Sequence, residues 1–275
     1  MDKKKVLVGM SGGVDSSAAA LILKEQGYEV CGCTLRLYDN SVLGEGYAEG
    51  GCCSLSDVDD ARSVCRKIGI DHVTLNFTED FAKHVMKPFA DSYINGETPN
   101  PCIECNKYMK FGTMLRRAEL LGFDYIATGH YADVCYDDNR GRWLLKRSSD
   151  PRKDQTYVLY CMTQHQLEHT LFPLYGMEKT DVRRLSEGNS QSLSLTYGVV
   201  DDAGVLSCLF SVRENIFAAK PRYSAKEQSA LIYPAENGIV RIEFDDPVRA
   251  PAKGQACVVY DGDIVVGGGV IARVE

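Results

Sequence analysis

Two short stretches of this chain hold residue types whose spacing could do chemistry. The first runs Leu7-Val8-Gly9-Met10-Ser11-Gly12-Gly13-Val14-Asp15-Ser16-Ser17. An apolar run enters a glycine-rich turn, and an Ala/Leu-rich helical pattern leaves it. Backbone N–H groups in such a turn, backed by a helix N-terminus, form an anion site suited to phosphates. Side chains at Gly12 and Gly13 would obstruct close approach of a phosphate. No lysine follows in a Gly-Lys-Ser/Thr arrangement, which argues against γ-phosphoryl transfer. Asp15 could cap the helix, or sit beside Mg²⁺ or pyrophosphate. The second stretch is Thr98-Pro99-Asn100-Pro101-Cys102-Ile103-Glu104-Cys105-Asn106. Two prolines fix a loop, and a Cys-x-x-Cys pair precedes a helix expected to open at Lys107. Thiols near a helix N-terminus carry more thiolate, which suits nucleophilic or persulfide chemistry. On this reading Cys105, nearer the helix start, is the more acidic of the two. A metal or iron–sulfur site is the alternative, with Cys52 or Cys53 completing the ligand set of Cys102 and Cys105.

The elements that must position these residues read as alternating strands and helices. Strands are expected at 6–8, 28–37, 72–76 and 124–128, and helices at 16–25, 55–68, 81–95 and 107–121. That order specifies an α/β fold, a Rossmann-like parallel sheet covered on both faces. Such sheets bind nucleotides at the carboxyl ends of their strands. The glycine-rich loop, the Leu35 region and Gly129-His130 all follow strands and could meet there. A hairpin is expected over 134–146, and helices over 155–174 and 179–187. Short β-type runs at 239–244, 255–260 and 264–274 specify a small C-terminal β-barrel. The boundary is drawn at 198/199, with a nucleotide-binding catalytic domain before it and the barrel-like domain after it.

Composition narrows the class. The chain has 275 residues, 11 cysteines and a net charge of −7, so any nucleic-acid contact must come from local basic patches. There is no apolar stretch long enough to span a membrane. Met1-Asp2-Lys3-Lys4-Lys5 leads into the first strand without an apolar leader, so a cytoplasmic protein without a disulfide framework is expected. Cys31, Cys33, Cys65, Cys135, Cys161, Cys208 and Cys257 lie in apolar or mixed runs and read as packing residues.

SGGVDSS, GCCSLSDVDDAR, TPNPCIECNKYMKFG, ATGHYA and RKDQTYVLY resemble the tRNA-specific 2-thiouridylases, a branch of the ATP pyrophosphatases. The segment RIEFDDPVRAPAKGQACVVYDGDIVVGGG is similar to that family's terminal β-barrel. The resemblance implies that ATP adenylates O2 of a wobble uridine and that a protein persulfide replaces this oxygen with sulfur. It places the ATP phosphates on Gly9, Met10, Ser11, Gly12, Gly13, Val14, Asp15 and Ser16, with Leu35 and Gly129 lining the nucleotide pocket. Cys105 takes the nucleophile's position. His130, Lys153, Asp154, Gln155, Arg222, Tyr223 and Gln255 take tRNA-contacting positions. Each of these also has a packing or solvated-surface alternative. The implied partners are tRNA and a persulfide or sulfide donor such as a cysteine desulfurase, with ATP and Mg²⁺ as cofactors and no membrane.

The chain departs from the family pattern twice. Asn189-Ser190-Gln191-Ser192-Leu193-Ser194-Leu195 puts Ser194 where the family carries a second catalytic cysteine. The family's small central domain is missing after Tyr197. Three readings follow: a tRNA thiolase using other thiols, a divergent enzyme with another substrate, or a nucleotide- or tRNA-binding relic without catalysis.

Overall fold

A computed structural model describes residues 3–38, 55–177, 182, 215–233 and 239–274. Cys52, Cys53, Ser194, Cys208 and all of the expected 179–187 helix except Val182 lie outside these residues. The chain opens with strand β1 (Lys5–Gly9), helix α1 (Val14–Glu25) and strand β2 (Glu29–Arg36). Helix α2 (Leu55–Ile68) and strand β3 (Asp71–Asn76) follow. Helix α3 is one run through Thr78–Phe81, Ala82–Met86 and Lys87–Ile94. Helix α4 runs through Pro101–Glu104, Cys105–Met114 and Leu115–Leu120 into strand β4 (Tyr125–Ala127). After strands β5 (Ala132–Asp137) and β6 (Arg142–Arg147) come a short 3₁₀ turn (Thr156–Val158), helix α5 (Gln164–Glu168) and strand β7 (Thr170–Leu171). Strands β8 (Asn215–Lys220), β9 (Gln228–Ile232), β10 (Ile242–Phe244), β11 (Ala256–Asp261) and β12 (Ile264–Val270) complete the chain.

The first sheet is parallel, in the order β3-β2-β1-β4-β7. Side chains alternate across a strand, and β1 shows it. Leu7 packs with Leu35, Phe111, Met114 and Ile126 on one face, while Val6 and Val8 pack with Leu23, Val30 and Ala61 on the other. Both faces of β1 are buried, which is why it reads as a nearly continuous apolar run.

The second sheet is antiparallel, in the order β10-β9-β8-β11-β12-β6-β5. The expected 134–146 hairpin is therefore not an appendage of the first domain. It pairs with β12 through Lys146 and Ile264, extending the C-terminal module's own sheet.

Several expected elements are corrected. The 155–174 helix is replaced by a turn, a one-turn helix and a strand. Thr156, Tyr157, Val158 and Leu159 are all buried, leaving no polar face for a surface helix. Strands β8 and β9 went unread because NIFAAK and QSALI are alanine-containing segments of weak β-propensity. They are set instead by burial, with Ala219 and Ala230 fully enclosed. The last strand stops at Val270. Among the described residues no helix is long and apolar enough to cross a membrane.

Candidate functional site

The glycine-rich loop sits where β1 ends and α1 begins, at the carboxyl edge of the parallel sheet. Met10 ties the loop to β2 through its N–H, which donates to the Cys33 carbonyl at 2.7 Å. Gly12 has φ +74°, a conformation side chains rarely adopt, and a Cβ there would lie 3.0 Å from Asp60 Cβ and 3.1 Å from the Asp57 carbonyl on α2. Gly13 is the N-cap of α1 and makes no side-chain cap. A Cβ on Gly13 would meet only Ser11 Oγ, at 3.4 Å. Ser16 stiffens the turn from inside: its Oγ donates to the Gly13 carbonyl at 3.0 Å and accepts from the Ser11 N–H at 3.2 Å. Gly9 ends β1, and Val14 and Ser11 are exposed. The result is a rigid loop, open on one side, with an uncapped helix N-terminus behind it. That is a fit for an anionic phosphate.

Gly129 closes the loop from the side of β4. A Cβ there would stand 2.8 Å from both the Asp15 carbonyl carbon and the Ser16 nitrogen. Two residues on, the buried Tyr131 donates its hydroxyl to Asp15 Oδ1 at 2.9 Å. Gln155 in turn fixes Tyr131: its Oε1 accepts from the Tyr131 N–H at 2.9 Å, and its own N–H donates to the Tyr131 carbonyl at 3.0 Å. Sequence reasoning missed Tyr131. The signal was the tyrosine following Gly129-His130, and only tertiary contact reveals its partner. Leu35 is 5% exposed within the main core.

His130 is 8% exposed, ringed by Phe111 and Phe172, with Nδ1 2.8 Å from Thr128 Oγ1. Burial, and secondarily the Lys110 charge, hold its pKa well below the ordinary imidazole value. It is a neutral core group in this conformation.

The thiol pair stands on α4. The helix opens at Pro101, not Lys107, because Asn100 Oδ1 accepts from the Cys102 N–H at 3.0 Å and proline is tolerated in the first turn. The expectation that Cys105 lies nearer the helix start is thus reversed: Cys102 is in the first turn and Cys105 follows one turn later. Cys102 is exposed, and Cys105 is partly buried against the core. Their spacing of three puts them on one helix face. Met114, further down α4, lies level with Gly9 at the sheet edge. The thiols therefore project beyond that edge, 9 to 12 residues further along the helix. Lys107, Glu104 and Cys161 share this end of the helix. Burial pushes the Cys161 thiol up to about 11, and Cys257 likewise to about 11. Those two behave as packing residues.

Tyr223 and Gln255 lie beside Tyr157. Its hydroxyl donates to the Ala256 carbonyl at 2.6 Å, beside Gln255. Its ring meets Tyr223 edge-on at 5.6 Å, and Lys220 Nζ lies 5.7 Å from the Tyr223 ring. Tyr223 is 51% exposed. Among the described residues, Arg222 Nε and Gln255 Oε1 are buried without a hydrogen-bond partner. Lys153 is exposed, whereas the Asp154 carboxylate is spent on the Thr156 hydroxyl at 2.8 Å and the Ser148 N–H at 3.3 Å.

Two family models account for most of the chain. One, described as "tRNA methyl transferase HUP domain", matches residues 4–196, and the other, "Aminomethyltransferase beta-barrel domain", matches residues 210–271. A tRNA-specific 2-thiouridylase MnmA of Acetivibrio thermocellus is 40% identical, the match covering 98% of this chain and 100% of that protein. MnmA 2 of Caldanaerobacter subterraneus subsp. tengcongensis is 41% identical over 98% of each chain. The chain belongs to the tRNA-specific 2-thiouridylase family. The family is an ATP-using one built on the HUP domain, and the glycine-rich loop lies in that domain of this chain. The first alignment spans 358 positions against a chain of 275 residues, so at least 83 positions have no counterpart in this 2-thiouridylase. The two family models leave only residues 197–209 between them. That agrees with the missing central domain expected after Tyr197.

Proposed function

We propose that this chain is a compact tRNA 2-thiouridylase in which the Cys102–Cys105 pair performs the sulfur chemistry alone. The observation that carries this reading is the placement of both thiols on one face of α4, which projects beyond the sheet edge that holds the phosphate loop. ATP phosphates lie on Ser11–Ser16 with Mg²⁺, and Asp15, held by Tyr131, supplies the loop's carboxylate. Uridine O2 attacks the α-phosphorus and pyrophosphate leaves. A persulfide on Cys105, charged by a persulfide donor such as a cysteine desulfurase, attacks C2 through its outer sulfur, and AMP leaves. The Cys102 thiolate then attacks the Cys105 sulfur, freeing 2-thiouridine and forming a Cys102–Cys105 disulfide that an external dithiol reduces. Lys153, Arg222, Tyr223 and Gln255 form the tRNA-facing surface. The half-exposed Tyr223 ring beside Lys220 and the exposed Lys153 support that role, since RNA is held by stacking on aromatic rings and by cations on its phosphates.

The test is single-turnover thiolation of tRNA with pyrophosphate release followed in parallel. Cys105→Ala should abolish 2-thiouridine while retaining pyrophosphate release, and Ser194→Ala should leave both near wild type. Ser194→Ala as damaging as Cys105→Ala would overturn the reading. So would stoichiometric iron and acid-labile sulfide that are lost in Cys102→Ser, which would make the pair cluster ligands with Cys52 or Cys53.

A further inference from the structure

The motif His165-Gln166-Leu167-Glu168-His169 is not used by any of this chemistry. A reciprocal capping box starts α5 just before it: Gln166 N–H donates to Thr163 Oγ1, and Thr163 N–H donates to Gln166 Oε1 at 2.9 Å. The helix therefore begins at a fixed residue, and positions 165, 168 and 169 fall on one face. The His165 and His169 rings have centroids 4.4 Å apart. One donor atom from each of His165, Glu168 and His169 lies within 4.8 Å of the others.

The hydrogen bonds to the two imidazoles decide what they can bind. His169 Nδ1 lies 2.9 Å from the His165 carbonyl, which can only accept, so Nδ1 carries the proton and the Nε2 lone pair is available. His165 Nε2 lies 2.6 Å from Glu119 Oε1 on the last turn of α4, which places the proton on Nε2 and leaves Nδ1 as a ligand atom. A carboxylate and a carbonyl holding the far nitrogens of two histidines is the arrangement that orients metal ligands. His165 is exposed, while Glu168 and His169 are partly buried, so an ion could enter from solvent. Two imidazoles and one carboxylate suit Zn²⁺ and its near neighbours rather than Mg²⁺ or Ca²⁺. A tetrahedral Zn²⁺ with ligands at about 2.0–2.2 Å holds them about 3.5 Å apart. The present set, within 4.8 Å, is looser than that, and a bound ion would draw the three ligands together.

We propose that His165, Glu168 and His169 form a three-ligand site for a divalent transition metal of the zinc class, with Glu119 orienting His165. The fourth position faces solvent. The proposal is independent of the thiolation reading.

The test uses reduced full-length protein, with Zn²⁺ in competition with a chromophoric chelator and Co²⁺ as a spectroscopic probe. Cysteine sites give intense thiolate charge-transfer bands with Co²⁺, whereas this site gives only ligand-field bands. Cys102→Ser/Cys105→Ser should keep those bands, and His165→Ala/His169→Ala should lose them together with one equivalent of Zn²⁺. Glu119→Gln should weaken Zn²⁺ binding about tenfold. Far-UV dichroism, with His169→Gln as the conservative variant, separates lost ligation from lost fold. Unchanged Zn²⁺ stoichiometry and affinity in the double histidine variant overturns the proposal. So does wild-type protein with no metal beyond that lost with the cysteines.

Discussion

At the scale of single residues, the two glycines flanking the phosphate loop do different work. Gly13 has ordinary backbone angles and only Ser11 Oγ, at 3.4 Å, where a Cβ would go, so a side chain there crowds a ligand more than the protein. Gly129 lies against backbone, and even one methyl group must displace it. Gly13→Val should cut ATP affinity at least tenfold by calorimetry while leaving the melting temperature nearly unchanged. Gly129→Ala should instead lower stability by about 1–3 kcal/mol, the usual cost of overpacking. Wild-type ATP affinity in Gly13→Val would remove the phosphates from this loop. The buried His130 gives the fold a pH dependence whose sign is fixed. Its folded pKa lies well below 6.5, so below that pH the unfolded chain takes up a proton that the native state refuses. Stability from this group is full above about pH 6.5 and falls as the pH drops, by at most about 1.4 kcal/mol per pH unit. His72, also lowered by burial and by Arg62, acts in the same direction. In urea titrations from pH 7.5 to 5, His130→Asn, which keeps a partner for Thr128, should flatten the slope. An unchanged slope would mean that His130 already titrates normally in the folded protein.

At the scale of elements, the decisive correction is where α4 starts. Two prolines looked like a rigid loop up to Asn106, but Asn100-Pro101 is a cap followed by a tolerated first-turn proline. The consequence reaches the chemistry. Cys102 is exposed in the first turn, and Cys105 lies a turn deeper against the core. Timed alkylation with peptide mass mapping should label Cys102 several-fold faster than Cys105, and labelling of Cys105 first would contradict this geometry. The alternation of the first sheet was legible because the strands β1, β2 and β4 are buried on both faces and read as apolar runs between helical patterns. The glycine-rich turn between β1 and α1 was legible because its backbone conformation restricts which residues it can hold. The segment from Gln155 to Leu174 was not legible, because buried aromatic and β-branched residues fit a buried turn as well as a buried helix. Nor were β8 and β9, whose alanines take their conformation from the strands beside them. Tyr131 escaped because its partner, Asp15, lies 116 residues away.

At the scale of the whole molecule, the boundary drawn at 198/199 divides the sequence but not the core. Leu145, Tyr157 and Leu159 share one buried cluster with Val258 and Tyr260, and that cluster continues to Leu7 and Ile126 at the centre of the parallel sheet. The sheets cross the boundary as well. Strand β6 pairs with β12, and Arg147 on β6 reaches Glu227 at 2.5 Å while its guanidinium lies 3.9 Å from the Tyr260 ring centre. The Thr98 N–H, just before the thiol helix, donates to the Lys253 carbonyl at 2.9 Å. The C-terminal module thus supports the loop that delivers Cys102. Cutting at residue 198 would expose Leu145, Tyr157 and Leu159 and unpair one edge of the β5–β6 hairpin. Each large side chain returned to water costs about 1.5–3 kcal/mol, and three approach the whole stability of a typical domain of about 5–15 kcal/mol. Residues 1–198 made alone should therefore show no cooperative thermal transition, and should bind an apolar dye or aggregate. A fragment that melts cooperatively within a few degrees of the full chain would show that the boundary divides the core after all.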